Sequence, residues 1–101
     1  MKKILIPLFS VAALASFQTA TAADAEALFG SKGCVACHSI DRKLVGPSYQ
    51  EVAAKRTADD VQLIADHIKN GSQGEYGPIP MPPNPVSEEE AKVLAEWVIT
   101  L

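Results

Sequence analysis

The spacing of apolar residues predicts four short helices downstream of residue 23. Apolar positions recur every three or four residues, the period of a helix that buries one face, and no stretch alternates as a half-buried strand does. In the C-terminal stretch this apolar stripe contains Leu94, Trp97, Val98 and Leu101. The predicted helices cover about residues 25–32, 47–56, 57–70 and 87–101, so we expect an all-α domain.

Residues near the predicted helix ends are typical caps. Asp24 precedes the first helix, and Thr57 precedes the third helix with Asp60 three residues later. Ser87 followed by Glu90 predicts a capping box, in which each side chain accepts a hydrogen bond from the backbone N–H of the other residue.

The segment between the third and fourth helices, residues 71–86, is predicted to be neither helix nor regular strand. Its sequence GSQGEYGPIPMPPNPV contains three glycines and five prolines, which interrupt both kinds of element. Prolines on both sides of Met81 restrict the backbone there and thereby orient its thioether. We expect the Met81 side chain on so rigid a loop to have a functional role. The alternative is that it only fills space in the core.

The first 23 residues have the layout of a secretory signal peptide. Two lysines precede an apolar run over residues 4–17, and the sequence ATA at residues 20–22 fits an A-x-A cleavage pattern. A permanent membrane anchor is the alternative, but about 14 apolar residues interrupted by Pro7 are short for a span, which needs roughly 20. We expect cleavage after Ala22 or Ala23 and export to the periplasm.

The charge of the predicted mature domain, residues 24–101, limits its partners. Loss of the two N-terminal lysines leaves seven basic and twelve acidic side chains, a formal charge of −5. This charge argues against nucleic acid and anionic membrane surfaces, since both favour positively charged proteins. Few large apolar side chains are present in so small a domain, so a cofactor at its centre would enlarge the core.

Both cysteines of the chain lie in the sequence GCVACHSI, residues 33–40. Two thiols at this spacing occur in zinc sites, redox dithiols, disulfides and haem attachment sites. A zinc site would need Cys34, Cys37, His38 and His67, but the adjacent Cys37 and His38 are poorly placed to share one tetrahedron. A redox dithiol normally follows a strand, and none is predicted here. A disulfide that closes so short a loop stabilises little.

The C-x-x-C-H pattern favours covalent attachment of haem c. In this interpretation Cys34 and Cys37 form thioether bonds with the two haem vinyl groups, and His38 projects beneath the iron as the proximal axial ligand. The predicted export agrees with it, because bacteria assemble c-type haem outside the cytoplasm. The motif alone does not distinguish a carrier from a sensor or an enzyme.

Longer stretches of the sequence resemble one family. The segments LFGSKGCVACH, VGPSYQEVAAK, IKNGSQGEYGPIPMPPN and SEEEAKVLAEWV make the chain similar to the small bacterial class I cytochromes c of the cytochrome c-551 type. The resemblance implies a cytochrome c fold, with about four short helices wrapped around one covalently bound haem. It also implies that Phe29 and Trp97 pack together where the first and last helices cross.

The predicted ligands lie on opposite sides of the haem iron. Met81 is the expected distal ligand, because the other methionine belongs to the predicted signal peptide, and His67 is the alternative. The resemblance implies that the Pro47 carbonyl accepts a hydrogen bond from His38 and that the Asn84 amide donates toward the Met81 sulfur. A turn after two prolines is the alternative role of Asn84.

Two positions depart from the family pattern. His67 stands where Arg is frequent, and Tyr76 stands where Trp is common. The resemblance implies that both residues contact a haem propionate as hydrogen-bond donors. Because histidine changes its charge near neutral pH, we expect His67 to make the reduction potential depend on pH. An exposed imidazole without such a role is the alternative.

Two filled axial positions favour an electron carrier over an enzyme. No substrate reaches the iron without displacing Met81, and the chain contains no second cofactor motif. We expect a monomeric periplasmic carrier without stable membrane insertion, reduced by a membrane quinol-oxidising complex. Its expected acceptor is a nitrite reductase, a terminal oxidase or a cytochrome c peroxidase. A haem-based sensor or ligand-binding protein in which Met81 dissociates is the alternative.

Overall fold

The computed structural model describes residues 20–101, so the predicted signal peptide lies outside the described residues except for its last four positions. The described chain forms four helices: α1 (Ala22–Ser31), α2 (Tyr49–Lys55), α3 (Val61–Asn70) and α4 (Glu88–Val98). Within residues 20–101 the only strand-like pairing is one antiparallel bridge between Ser72 and Met81. No helix in this range is long and apolar enough to cross a membrane. The predicted all-α architecture is confirmed.

Helices α1 and α2 begin at other residues than predicted because a neighbouring side chain caps each of them. Thr21 caps α1, and Asp24 completes a capping box from the third helical position instead of preceding the helix. Ser48 caps α2 by accepting a hydrogen bond of 3.1 Å from the backbone N–H of Glu51, so the predicted start at Pro47 is two residues early. Cleavage at the predicted site would remove Thr21 and shorten α1.

The capping box predicted before the fourth helix is confirmed, whereas the predicted Thr57 cap precedes a 3₁₀ turn and α3 itself begins at Val61. Thr57 and Asp60 cap a 3₁₀ turn, Ala58–Asp60, which leads into α3. At α4 the backbone N–H of Glu90 donates to the Ser87 hydroxyl at 3.0 Å, and the Ser87 N–H donates to the Glu90 carboxylate at 2.9 Å. The bond from the Ser87 backbone lowers the pKa of Glu90. The stabilisation is therefore present above the usual Glu pKa and is lost as the pH falls through the lowered value.

Replacing Ser87 with Ala is expected to lower the free energy of unfolding by about 1 kcal/mol, the usual effect of losing an N-cap. Guanidinium unfolding followed by circular dichroism measures this change. Ser31→Ala is the matched control, because Ser31 is exposed in the last turn of α1, and it should change stability by less than about 0.5 kcal/mol. Equal losses in both variants would contradict the capping role.

The core lies where α1 and α3 pack against α4. Leu94 is fully buried and Trp97 and Val98 are nearly so, which confirms most of the apolar stripe predicted for the last helix. Leu101 is only partly buried, since α4 ends at Val98. The rings of Phe29 and Trp97 lie with their centroids 5.7 Å apart, so the predicted contact between the first and last helices is present.

Candidate functional site

A cavity of about 360 Å³ lies between the helices and the loop that follows α3. Sites for small ligands and cofactors commonly have volumes of about 300–1,000 Å³. All the site residues predicted from the sequence line this one cavity: Cys34, Cys37, His38, Pro47, His67, Tyr76, Met81 and Asn84. The fold thus brings together residues from four separate parts of the chain.

A 3₁₀ turn, Cys34–Ala36, places the two thiols beside His38. The turn follows Gly33, whose φ of +80° is in the left-handed region that favours glycine. Both cysteines are free thiols, so the disulfide alternative is not what the structure contains. Burial raises the pKa of the Cys34 thiol, and the neighbouring Tyr49 hydroxyl lowers it in part.

The loop after this turn orients the His38 ring. The ring nitrogen Nδ1 lies 2.8 Å from the Pro47 carbonyl oxygen, the contact implied by the resemblance. Because a carbonyl only accepts, Nδ1 carries the proton and Nε2 keeps the lone pair with which a neutral imidazole binds a metal. A Cβ added at Gly46 would lie 2.5 Å from Cε1 of His38. The loop therefore approaches the ring this closely only with glycine at position 46.

Tyr49 connects the His38 side of the cavity with the crossing of α1 and α4. Its buried ring lies with its centroid 5.0 Å from that of His38, 5.1 Å from Phe29 and 5.8 Å from Trp97. Burial raises the pKa of the Tyr49 hydroxyl, so the hydroxyl stays protonated near neutral pH. The proximal side of the site is in this way continuous with the helical core.

Backbone hydrogen bonds hold Met81 against the C-terminal end of α3. Ser72 and Met81 exchange two bonds of 3.0 and 2.9 Å, which close the loop of residues 72–81 at its base. Gly71 ends α3 with a φ of +87°, and a Cβ added there would lie 2.7 Å from the Met81 carbonyl oxygen. The position of Met81 therefore depends on α3 as well as on the prolines that predicted a rigid loop.

Asn84 has different partners in the structure from the one implied by the resemblance. Its side-chain amide donates to the Ile68 carbonyl at 2.8 Å, with a longer contact of 3.4 Å to the Pro82 carbonyl. The Ile68 carbonyl belongs to the last turn of α3, where a helix leaves its carbonyls without internal partners. Asn84 thus anchors the segment after Met81 to α3, and donation toward the Met81 sulfur remains a prediction.

The lining of the cavity also carries hydrogen-bond donors. The Tyr76 hydroxyl is buried and has no hydrogen-bond partner among residues 20–101. Burying a hydroxyl without a partner lowers the stability of the folded protein by about 1–3 kcal/mol unless a bound group pairs with it. A carboxylate such as a haem propionate is a suitable acceptor. His67, on α3, is partly buried, and its Nε2 lies 3.9 Å from the Glu75 carboxylate.

Arg56 and Glu75 line the same cavity and were not predicted as site residues. The Arg56 guanidinium donates to the Glu75 carboxylate at 2.6 Å, and the pair is partly buried. The Tyr76 hydroxyl lies beside the guanidinium without forming a hydrogen bond of good geometry, and it raises the pKa of Arg56 more than Glu75 does. Because the two charges are 19 positions apart, no local sequence pattern identifies the pair.

Comparison with known proteins identifies the family. The profile of the cytochrome c family matches residues 22–101, nearly the whole described chain. This chain belongs to the cytochrome c family. The cytochrome is 60% identical to cytochrome c-551 of Stutzerimonas stutzeri over 103 residues, which cover 100% of this chain and 99% of the relative. It is 43% identical to cytochrome c-552 of Hydrogenobacter thermophilus over the same shares of the two chains.

A solved structure shows the same fold. The crystal structure of wild-type cytochrome c552 from Nitrosomonas europaea superposes on the cytochrome with a TM-score of 0.72 at 44% identity. The match covers 75% of this chain and 98% of that protein. The resemblance to small class I monohaem cytochromes is therefore confirmed.

The family assignment also confirms the cofactor, one covalently attached haem c, and the general function of an electron carrier. The residues of the cavity fit this group. Two free thiols, an imidazole with a free ring nitrogen and a buried hydroxyl without a partner all face the same space. Zinc, dithiol and disulfide interpretations of Cys34 and Cys37 are set aside.

Proposed function

We propose that the cytochrome is a periplasmic one-electron carrier whose iron is bound by His38 and Met81, with Cys34 and Cys37 as the thioether tethers. Haem c supplies reversible transfer of one electron between ferric and ferrous iron. The observation that carries the proposal is that all the predicted site residues line a single cavity.

The two proposed axial ligands are held in position by different contacts. His38 is oriented by the Pro47 carbonyl, so that Nε2 is free to bind iron. Met81 lies on a loop that backbone bonds close at its base, and a Met ligand opposite His raises the reduction potential. His67, the alternative ligand, has its Nε2 3.9 Å from Glu75, which supports Met81 in this role.

The rim of the cavity offers a surface for redox partners. Leu44, Val45 and Ile79 line the cavity and yet expose 43%, 54% and 63% of their surface. Exposed apolar groups at the edge of a cofactor site favour contact with another protein and bring that protein close to the haem. The proposed donor is a membrane quinol-oxidising complex, and the acceptor is a nitrite reductase, a terminal oxidase or a cytochrome c peroxidase.

Carbon monoxide separates this carrier from a haem-based sensor. A ferrous carrier with Met81 bound to the iron resists carbon monoxide at neutral pH, whereas a sensor in which Met81 dissociates binds the gas promptly. Steady-state turnover with purified nitrite reductase, oxidase and peroxidase then identifies the acceptor. Absence of turnover with all three enzymes would contradict the assigned partners.

Export is part of the proposal. The intact mass of the haem-loaded protein from a periplasmic extract should correspond to cleavage after Ala22 or Ala23. Recovery of the uncleaved chain from the membrane fraction would instead favour a permanent anchor.

Replacing His67 with Arg is expected to change the reduction potential, because arginine keeps its positive charge beside the proposed propionate at every pH near neutral. The potential should therefore be higher in this variant and should vary less with pH. Potentiometric titration at constant ionic strength measures both effects. Lys69→Arg, on the same helix, keeps its charge and serves as the control. An unchanged slope in His67→Arg would exclude His67 from this role.

A further inference from the structure

The loop that carries Met81 is fastened to the end of α2 by charged side chains that the proposed electron transfer does not use. Lys55 and Arg56 lie at the C-terminal end of α2, and Glu75 and Tyr76 lie near the middle of the loop. These four residues are called the clasp below.

The contacts of the clasp converge on two adjacent loop residues. Arg56 donates to the Glu75 carboxylate at 2.6 Å, and the two side chains are only 17% and 33% exposed. Lys55 Nζ donates to the Glu75 backbone carbonyl at 3.1 Å and lies 4.5 Å from the centre of the Tyr76 ring. From α3, His67 faces the other carboxylate oxygen of Glu75 at 3.9 Å.

The clasp is the second attachment of the loop. The first is the pair of backbone bonds between Ser72 and Met81 at its base. Within residues 20–101, the hydrogen bonds that join residues 73–80 to the rest of the fold all come from Lys55 and Arg56. A loop attached only at its base opens more readily than one also held near its middle, because fewer contacts are broken when it moves.

We propose that the Arg56–Glu75 ion pair keeps Met81 on the iron by resisting the opening of residues 72–81. Arg56 and Glu75 are then positioning residues, which act through the loop and not by touching the iron. This inference rests on the proposed Met81 ligation. The pair is assigned a role in setting the rate at which Met81 dissociates from the iron. This role is distinct from the roles of the covalent haem attachment and of the helical core.

Imidazole binding to the ferric protein measures this control. At saturating imidazole the observed rate is limited by dissociation of Met81. Arg56→Gln and Glu75→Gln should each raise this rate by about two- to five-fold, the upper part of the range expected for one partly exposed ion pair. The double variant should show no larger increase, since both substitutions remove the same contact. Arg56→Lys keeps the charge and should return the rate most of the way to that of the parent.

The matched control is Lys92→Gln, which removes an exposed cation from α4 and should leave the rate unchanged. Rates within about two-fold of the parent in both Arg56→Gln and Glu75→Gln would overturn the proposal. A faster rate in one of those two variants and a slower rate in the other would also overturn it. Such a result would mean that each charge acts on the haem separately and not through the ion pair. Ser87→Ala, which removes the cap of α4 and destabilises the fold by a similar amount away from the loop, should leave the rate unchanged. A rise in rate in this variant would show general destabilisation and would overturn the proposal as well.

The weak red absorption band of sulfur-to-iron coordination distinguishes this failure from failure of the proposed function. If the ferric parent lacks the band, Met81 is not the ligand and the proposed function falls with it. If the band is present and the imidazole rates do not change, only the proposed role of the clasp is contradicted.

Discussion

Replacing Met81 with Ala is expected to abolish the weak red band of the ferric protein and to lower its reduction potential by more than about 0.1 V. The loss is a modest part of the roughly 0.8 V over which axial ligands set haem potentials. It is expected because a Met ligand favours ferrous iron, and no other methionine is present in the predicted mature chain. Visible spectroscopy and potentiometry measure the two changes. The ferrous variant should also bind carbon monoxide promptly.

Ile79→Ala is the control for this experiment. Ile79 lies in the same proline-rich loop, two residues before Met81, and is 63% exposed. Its truncation should leave the red band in place, which would show that loss of an apolar side chain from the loop is not enough to remove the ligand. A persistent band in Met81→Ala would contradict the proposed ligation.

Replacing Gly46 with Ala is expected to have the largest effect on the proximal side. The new Cβ would lie 2.5 Å from Cε1 and 2.9 Å from Nδ1 of His38, so the ring must move away from the Pro47 carbonyl. Overpacking costs about 1–3 kcal/mol, and the lost hydrogen bond adds about 1 kcal/mol. Guanidinium unfolding should therefore show a loss of about 2–4 kcal/mol, and the His38 ring resonances in the NMR spectrum should shift.

Gly30→Ala supplies the matched control for Gly46→Ala. Gly30 lies in α1, and a Cβ added there meets no atom within 4 Å. Alanine at this helical position should raise the free energy of unfolding by about 0.5–1 kcal/mol. If Gly46→Ala were as stable as the parent, close packing of the loop on His38 would not be what orients the ring.

The proposed haem-binding residues could be predicted from the sequence because their chemistry is local. The thiols and His38 are contiguous, since one short turn must hold both tethers and the ligand along one edge of the ring. Met81 was identified because prolines flank it and no second Met follows the predicted signal peptide. In both cases the restriction on the backbone lies within a few residues of the functional atom.

Other features depend on how distant segments meet and so had no local signal. The Arg56–Glu75 pair forms only once the end of α2 lies beside the loop. The resemblance implied that the Asn84 amide donates toward the Met81 sulfur, whereas in the structure it donates to the Ile68 carbonyl at the end of α3, 2.8 Å away. An unpaired carbonyl at a helix end is a strong acceptor, and its position follows from the tertiary fold.

Helix starts were uncertain for a different physical reason. Several neighbouring residues can serve as a cap, and the choice depends on which side chain reaches a free backbone N–H. Thr21 and Asp24 bond to each other's backbone, so α1 starts earlier than Asp24 alone suggested. At α4, where Ser87 and Glu90 are preceded by proline-rich sequence, the predicted cap was confirmed.

The aromatic contacts of Tyr49 place the only tryptophan of the chain one ring away from His38. At this separation an attached haem quenches indole emission by resonance energy transfer, and emission recovers when α4 separates from the haem. The cytochrome thus contains an intrinsic fluorescent reporter of its core. Trp97 emission and the sulfur-to-iron band together allow closure of the helix crossing and arrival of the distal ligand to be timed separately during refolding, without any added label.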